Sequence, residues 1–390
     1  MKRYDIIISG GGMIGSIAAV AACEKGLSVL LIEAHKVVSL AMDSSAQMRV
    51  SAISAENIAY LKDLEIYINL IESRIQAYTK MQVWDNRGSG HIEFEADFSQ
   101  QPCLGYLLEN NNLVQAAWMT LKAQPHCDTI VENAIDVIEN DEMQIRVSMK
   151  NGDQYKARLL LAAEGRNSYV RQQLNIKTEE KDYGQKGLVA YIKLAKAPKN
   201  TALQAFNQGG PLGILPVNER KNIFSIVWSL PKDECQQWLD CDNKTFESAI
   251  KAAIGRDFGP IELLSERLAF PLTQLYALEY FKNRTVLAGD SAHGVHPLAG
   301  QGVNLGIGDI RQLFELLDLP ILKDKYLLRI ALRKYQRRRI SQVRETSEMM
   351  SFLHQLFKDD KYLKKPLRNM GMNVLNKLPV KKWFAKQAGS

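Results

Sequence analysis

The chain is poor in the features that mark several large protein classes. It has 12 prolines and 25 glycines in 390 residues, with no internal repeat and no low-complexity linker. That excludes a collagen-like or disordered polymer. Five cysteines (Cys23, Cys103, Cys127, Cys235 and Cys241) make an odd number, and no CxxC pair occurs. A disulfide framework, a thiolate zinc site and thioredoxin chemistry are disfavoured, and a reducing cytoplasm is the expected compartment. Long apolar runs are missing too. Ile6 to Cys23 carries no charge, but Gly10, Gly11, Gly12 and Gly15 interrupt it, while Asp5 and Glu24 bracket it. Such a run reads as strand, turn and helix rather than as a signal peptide or membrane span. With no other candidate span, the expected protein is soluble or at most peripheral.

A length of 390 residues exceeds one hydrophobic core and predicts two or three domains. The net charge of +7 is unevenly placed. Residues 321–390 hold 18 Lys/Arg against 5 Asp/Glu, whereas the first 320 residues hold 32 against 38. The chain is a mildly acidic body with a basic C-terminal segment. Such a segment suits anionic partners, and a solvated helical face is the plain alternative.

Near the N-terminus, Gly10-Gly11-Gly12-Met13-Ile14-Gly15 fits GxGxxG in its expected setting. An apolar strand (Tyr4 to Ser9) precedes it, a helix (about Met13 to Lys25) follows, and a second strand from Ser28 ends at Glu33. Gly10 permits the tight turn, Gly12 lets backbone approach a pyrophosphate, and Gly15 lets helix and strand pack closely. The helix N-terminus offers free N–H groups to phosphates, and Glu33 can accept from ribose hydroxyls. An ADP-containing cofactor is expected, without a choice between NAD and FAD.

A second motif starts where the strand-like Thr285-Val-Leu-Ala run delivers Gly289-Asp290-Ser291-Ala292-His293, then His296-Pro297-Leu298-Ala299-Gly300-Gln301-Gly302-Val303-Asn304-Leu305-Gly306. Asp290 is placed to bind a hydroxyl-rich chain, and amides around Gly300 to Val303 can stabilise negative charge on a reduced ring. His293 and His296 form HxxH, yet no third His or Cys lies nearby, so no metal is expected. Both are read as loop or substrate-pocket residues.

This block resembles the second FAD fingerprint of the single-component flavoprotein aromatic hydroxylases, the para-hydroxybenzoate hydroxylase superfamily. Its fuller form, His296 to Gly306, resembles the ubiquinone-biosynthesis branch of UbiH, UbiI and UbiF type. Arg49 in Met48-Arg-Val-Ser-Ala-Ile-Ser resembles the family's flavin-contacting arginine, and Leu104-Gly-Tyr-Leu-Leu-Glu-Asn110 its LGY-xx-EN segment. Ser225-Ile-Val-Trp228-Ser and Phe270-Pro-Leu-Thr273 resemble strands of its substrate sheet, and Leu332-x-x-Tyr335-x-x-x-Arg339 its helix after the flavin domain. The middle fingerprint departs: Ala163-Glu164-Gly165-Arg-Asn-Ser168-Tyr-Val-Arg171 has Glu where the family has Asp.

The resemblance implies an α/β fold: a Rossmann-like, GR2-type FAD-binding domain, a β-sheet-rich substrate domain and a helical basic tail. The expected divisions are 1–74, 104–183 and 270–320 for FAD, 75–103 and 184–269 for substrate, and 321–390 for the tail. It further implies that Gly10, Gly12, Gly15, Glu33, Arg49, Glu164, Gly165, Asp290, Gly300, Gly302, Val303 and Asn304 hold FAD. Pro297, Gly300, Gln301 and Gly302 would lie where oxygen reacts, with Tyr183, Trp228, His293 and His296 as substrate-pocket candidates. No second GxGxxG follows a strand, so NADPH or NADH would reduce the flavin without a domain of its own. The implied reaction is hydroxylation of a polyprenylphenol in ubiquinone synthesis through a C4a-hydroperoxyflavin. Arg49-Val-Ser-Ala-Ile, Val83-Trp-Asp-Asn and Ser225-Ile-Val-Trp-Ser resemble the C5-hydroxylating UbiI type most, then UbiF. Alternatives are another ring carbon, a soluble aromatic substrate, or a non-catalytic FAD-binding subunit of a ubiquinone-synthesis complex. The lack of WxWxIP disfavours a halogenase. A membrane-dissolved tail implies contact with the inner face of the membrane and with other ubiquinone-synthesis proteins. Phe352–Phe357 and Met370–Trp383 are the amphipathic candidates. A homo-oligomer is admitted, and nucleic acid is not expected.

Overall fold

The computed structural model describes residues 1–37, 39–40, 47–86, 88–96, 102–295 and 301–358, with Glu219, Gln301 and 349–358 described by backbone alone. Met370–Trp383 lies outside the described residues.

The chain opens with β1 (Lys2–Ser9), α1 (Met13–Glu24) and β2 (Val29–Glu33), a βαβ unit bounded as the glycine pattern predicts. Ile6, Ile7 and Ile8 are all fully buried, as befits a central strand covered on both faces. There follow β3 (Val50–Ser54), α2 (Ala55–Asp63), β4 (Ile75–Tyr78), β5 (Lys80–Asp85), β6 (His91–Glu95), β7 (Gly105–Glu109) and α3 (Asn110–Lys122). Next come β8 (Cys127–Val131), β9 (Ile135–Asn140), β10 (Ile145–Met149), β11 (Gln154–Ala162), α4 (Tyr169–Gln173), β12 (Thr178–Leu194), β13 (Thr201–Phe206), β14 (Pro211–Asn218) and β15 (Ile223–Pro231). After α5 (Lys232–Asp240) and α6 (Asn243–Ile254) lie β16 (Ile261–Leu263), β17 (Leu268–Ala277), β18 (Phe281–Lys282), β19 (Thr285–Leu287) and β20 (His293–Gly294). Helices α7 (Gln301–Leu316), α8 (Leu319–Lys323) and α9 (Lys325–Lys358) end the described chain.

Among the described residues the strands form three sheets. The first runs β18-β19-β11-β1-β2-β8, with β10 and β9 attached through β11, and β19, β11, β1, β2 and β8 are mutually parallel. The second runs β20-β17-β12-β15-β14-β13-β5-β6 with β16 on β12, and the small third is β3-β7-β4. Helices α5 and α6 cover one face of the second sheet, where Leu188, Ile192, Ile226, Trp228 and Leu230 meet Cys235, Phe246 and Ile250. On its other face Ala202, Met81, Phe94 and Leu215 pack against Ala52, Tyr78, Leu104 and Leu107 of the third sheet. Each β-strand alternates faces, so these two sets are exclusive.

Three of the expected divisions meet paired strands. Strand β12 runs through residue 183, because a bulge between Asp182 and Gln185 keeps it paired to β17. Strand β17 likewise spans residue 269, and β4 pairs with β7 rather than with the second sheet. The backbone of the expected helical tail is one helix of 34 residues to Lys358. Among the described residues no helix is long and apolar enough to cross a membrane.

Candidate functional site

Four parallel strands end level with one another: Ser9 of β1 pairs with Ile32 of β2 and Ala162 of β11, and Ala162 pairs with Leu287 of β19. The segments just past these ends are Gly10–Gly12, Glu33, Ala163–Gly165 and Gly289–Asp290. In open α/β sheets this carboxyl edge is where ligands bind. Gly10 stands at φ +100°, and a Cβ there would sit 2.5 Å from the Ala163 carbonyl oxygen. At Gly15 a Cβ would collide with the Gly10 carbonyl. A Cβ on Gly12, in contrast, would meet nothing within 4 Å, so open space adjoins the first turn of α1. That turn has no capping side chain and no acidic residue, which leaves its N–H groups and positive dipole end for an anion.

Glu33 closes the other side. Its Oε2 accepts from Gly11 N at 2.6 Å and its Oε1 from His35 N at 2.8 Å, holding the carboxylate beside the glycine loop. The Trp118 indole of α3 braces the loop by donating to Gly11 O at 2.8 Å. Helix α7 reaches the same place because Gly306 admits Ile14: a Cβ there would lie 2.6 Å from Ile14 Cδ1. The N-termini of α1 and α7 therefore converge. Open space, two convergent helix ends and a terminal acid fit an ADP-bearing cofactor.

Asp290 follows β19. The residue is open to solvent, with protein groups close around its carboxyl. Burial pushes its pKa above the ordinary carboxylate value, with His293 and Arg166 opposing and Asp309 reinforcing the shift. Gly165 (φ +81°) turns the backbone just after β11, and its carbonyl accepts from Ser291 Oγ at 3.3 Å. Arg49, exposed, precedes β3 and joins it to β7 through Asn110 N, which donates to Arg49 O at 3.0 Å. Gly302 and Val303 lie in the first turn of α7, and a Cβ on Gly302 would meet nothing within 4 Å. His296, Pro297 and Gly300 are outside the described residues, as is the Gln301 side chain.

Several of the other candidate residues have partners inside the protein. The Glu164 carboxylate is engaged inside the protein: Oε1 accepts from Ser9 Oγ at 2.6 Å, and Oε2 from Ser168 Oγ at 2.6 Å and Val170 N at 2.9 Å. It ties β1 to the N-terminus of α4. Asn304 is spent similarly, donating to Ala52 O at 2.8 Å and accepting from Ser54 N and Asn57 Nδ2, each at 2.9 Å. That side chain links α7 to β3 and α2. Trp228 is buried on the sheet face covered by α5 and α6, stacked on Trp238 at 5.7 Å. Tyr183 stands at the β12 bulge and donates to Gln274 Oε1 at 3.0 Å, whereas Trp228 of β15 lies opposite Leu188 further along β12. The structure does not bring these two together.

His293 is fully buried and cannot face a substrate pocket. Its Nε2 lies 2.7 Å from Asp309 Oδ2, and its ring stacks on Tyr280 at 5.9 Å. Asp309, on α7, also accepts from Gly289 N at 2.7 Å and from Arg339 Nε of α9 at 2.6 Å. Arg339 in turn donates to Leu305 O at 2.9 Å, and Tyr335 to Leu287 O at 2.9 Å. Burial alone would raise the Asp309 pKa, but the adjacent His293 and Arg339 charges hold it below the usual carboxylate range. Helix α9 thus clamps both sides of the turn that presents Asp290. Sequence reasoning passed over Asp309, although a lone acid amid Leu305-Gly-Ile-Gly and Ile310 was a usable signal.

A second unforeseen cluster lies on the face of the second sheet that meets the third sheet. The Tyr191 hydroxyl donates to Gln47 O, and Arg74 pairs with Glu109 at 2.6 Å with both side chains nearly buried. Burial, then the Glu109 charge, push the Tyr191 phenol upward, with Arg74 opposing. Beside them on this face stand Val189, Val227, Gly213 and Leu215, paired across β12, β15 and β14. Among the described residues no His/Cys/Asp/Glu group could hold a metal ion.

Comparison with known proteins matches residues 3–348 to a family described as FAD binding domain. The 3-demethoxyubiquinol 3-hydroxylase of Escherichia coli (strain K12) is 29% identical over 379 residues, covering 97% of this chain and 96% of its own. The mitochondrial ubiquinone biosynthesis monooxygenase COQ6 of Danio rerio is 31% identical over 369 residues, 81% of this chain and 75% of its own. Among solved structures, PqsL of Pseudomonas aeruginosa, titled a probable FAD-dependent monooxygenase, superposes with a TM-score of 0.81 at 20% identity. It covers 96% of this chain and 100% of that one, which is likeness of fold.

Proposed function

The chain belongs to this family of FAD-binding monooxygenases, among the ubiquinone-biosynthesis hydroxylases, and on that premise we propose its substrate and donor. It hydroxylates the aromatic ring of a polyprenylated phenol on the route to ubiquinone, with O2 as oxidant and NADPH or NADH as electron donor. The observation that carries this reading is the end-to-end similarity to a 3-demethoxyubiquinol 3-hydroxylase.

Bound FAD, once reduced, supplies the activated oxygen that an electron-rich ring takes up. The chain's own residues do the rest. The first turn of α1 and Gly12 receive the pyrophosphate, Glu33 the ribose hydroxyls, and Asp290 the polyol chain. The first turn of α7 lends amide dipoles where ring charge develops. Val189, Val227 and Gly213, paired across β12, β15 and β14, are the apolar residues we assign to keeping water from the reacting atoms.

The ring position belongs to the same proposal. The named reaction of the Escherichia coli relative makes 3-demethoxyubiquinol the first substrate to try, ahead of the C5 position that sequence fragments favoured. The deciding experiment deletes the gene and identifies the accumulating quinone intermediate by mass spectrometry of lipid extracts. A demethoxyquinol lacking one ring oxygen, with ubiquinone lost, is the expected result. An intermediate lacking the C5 oxygen moves the site of attack. Unchanged ubiquinone in a host without a redundant hydroxylase refutes the pathway.

A further inference from the structure

Helix α9 buries one face and leaves the other bare at its start. Leu328, Leu332 and Tyr335 point into the core, while Tyr326, Leu327 and Ile330 are 69%, 48% and 62% exposed. Arg333, Lys334 and Arg337 continue the outer face at spacings of three and four residues, all exposed, with exposed Arg329 beside them. Among the described residues no carboxylate pairs with Arg329, Arg333, Lys334 or Arg337. The nearby ion pairs use Lys325 with Glu142 and Arg339 with Asp309 instead. From Lys325 to Arg344 the helix contains no acidic residue at all.

We propose that this outer face of α9 docks on an anionic lipid bilayer, with Tyr326, Leu327 and Ile330 entering the headgroup layer and the cations resting on lipid phosphates. An aromatic and two aliphatic side chains at one end of an unneutralised cationic stripe match the two attractions of an anionic interface. Charge argues against the other occupants. Residues 359–390 carry eight Lys/Arg against two Asp/Glu, so the chain's own C-terminal segment is repelled from the stripe. A second copy bringing the same face would set cations against cations. The buried face of the helix is meanwhile fixed by Arg339 and Tyr335 to the turn presenting Asp290, so docking would seat the cofactor edge at a set height above the bilayer.

The inference adds a place of action to the proposed reaction, and its test uses no quinone. Full-length holoenzyme is co-sedimented with vesicles of phosphatidylcholine alone and of phosphatidylcholine with phosphatidylglycerol, at low and high salt. Retention on the anionic vesicles, lost at high salt, is expected. The pair Arg333→Ser and Arg337→Ser should weaken partitioning roughly fivefold for each arginine removed. The triple Tyr326→Ser, Leu327→Ser, Ile330→Ser should lower what remains at intermediate salt. Both sets lie on the surface, and flavin content with NAD(P)H oxidation reports that they fold as the parent does. No retention of the parent, or variants retained equally well, overturns the proposal. Retention on polyglutamate beads but not on vesicles also overturns it, in favour of an acidic protein.

Discussion

Replacing Arg339 by methionine removes the cation that neutralises Asp309 while preserving most of the side-chain volume. Asp309 is wholly buried, and Arg339 contacts its Oδ1 at 2.6 Å. His293 and Gly289 N remain on Oδ2, but Oδ1 loses its Arg339 donor and the carboxylate one of the two neighbours that hold its pKa down. Breaking a buried pair from one side costs about 3–5 kcal/mol. For a chain of this size a kilocalorie moves the melting temperature by about 2 °C, so a fall of roughly 5–10 °C is expected. The flavin should be released at the same temperature, because the strained element is the turn carrying Asp290. Thermal melts followed by circular dichroism and by flavin fluorescence test both points. The double variant Arg339→Met, Asp309→Asn should lose less than the sum of the singles, since the carboxylate and the guanidinium it pairs with are removed together. The pH dependence follows from the lowered Asp309 pKa. A group ionising more easily when folded stabilises the native state above the unfolded carboxylate pKa, near 4, and that contribution vanishes as pH falls through the lower folded value. The parent should therefore lose stability across this acid window more steeply than the double variant. A single variant melting within about 1 °C of the parent would refute the clamp.

Asp290→Ala should sharply lower FAD retention on gel filtration. Asp290→Asn should also raise the melting temperature of the apoprotein at neutral pH, because the desolvated carboxylate it removes ionises less readily when folded; an unchanged flavin content sinks the assignment. Gly12→Ala should fold normally but take up FAD weakly, its methyl occupying the open space, whereas Gly15→Ala should reduce soluble protein, its methyl meeting the Gly10 carbonyl. Equal behaviour of the two would contradict the geometry of the loop. Glu164→Asp should cost about 1 kcal/mol, as the shorter carboxylate cannot serve both Ser9 and the α4 terminus. Faster NAD(P)H-driven flavin reduction in stopped flow would return that carboxylate to a cofactor role.

The amino-acid sequence alone determined the opening βαβ unit, its glycine turn, the strand before Asp290 and the helix bearing Arg339. Each rests on patterns within about thirty residues, where apolar periodicity and glycine conformational freedom act locally. The face a strand residue points to was not available there. Trp228 and Val227 are neighbours in sequence, and only the packing of α5 and α6 on one side of the sheet sends the first into that core and leaves the second half-buried on the opposite face. The roles of His293 and Glu164 were likewise decided by tertiary structure. Asp309 lies 16 residues from His293 and 30 from Arg339, and Ser9 lies 155 from Glu164. A buried charge takes whichever partner the fold brings within reach, because desolvation makes an unpaired one too costly, and no local pattern encodes that choice.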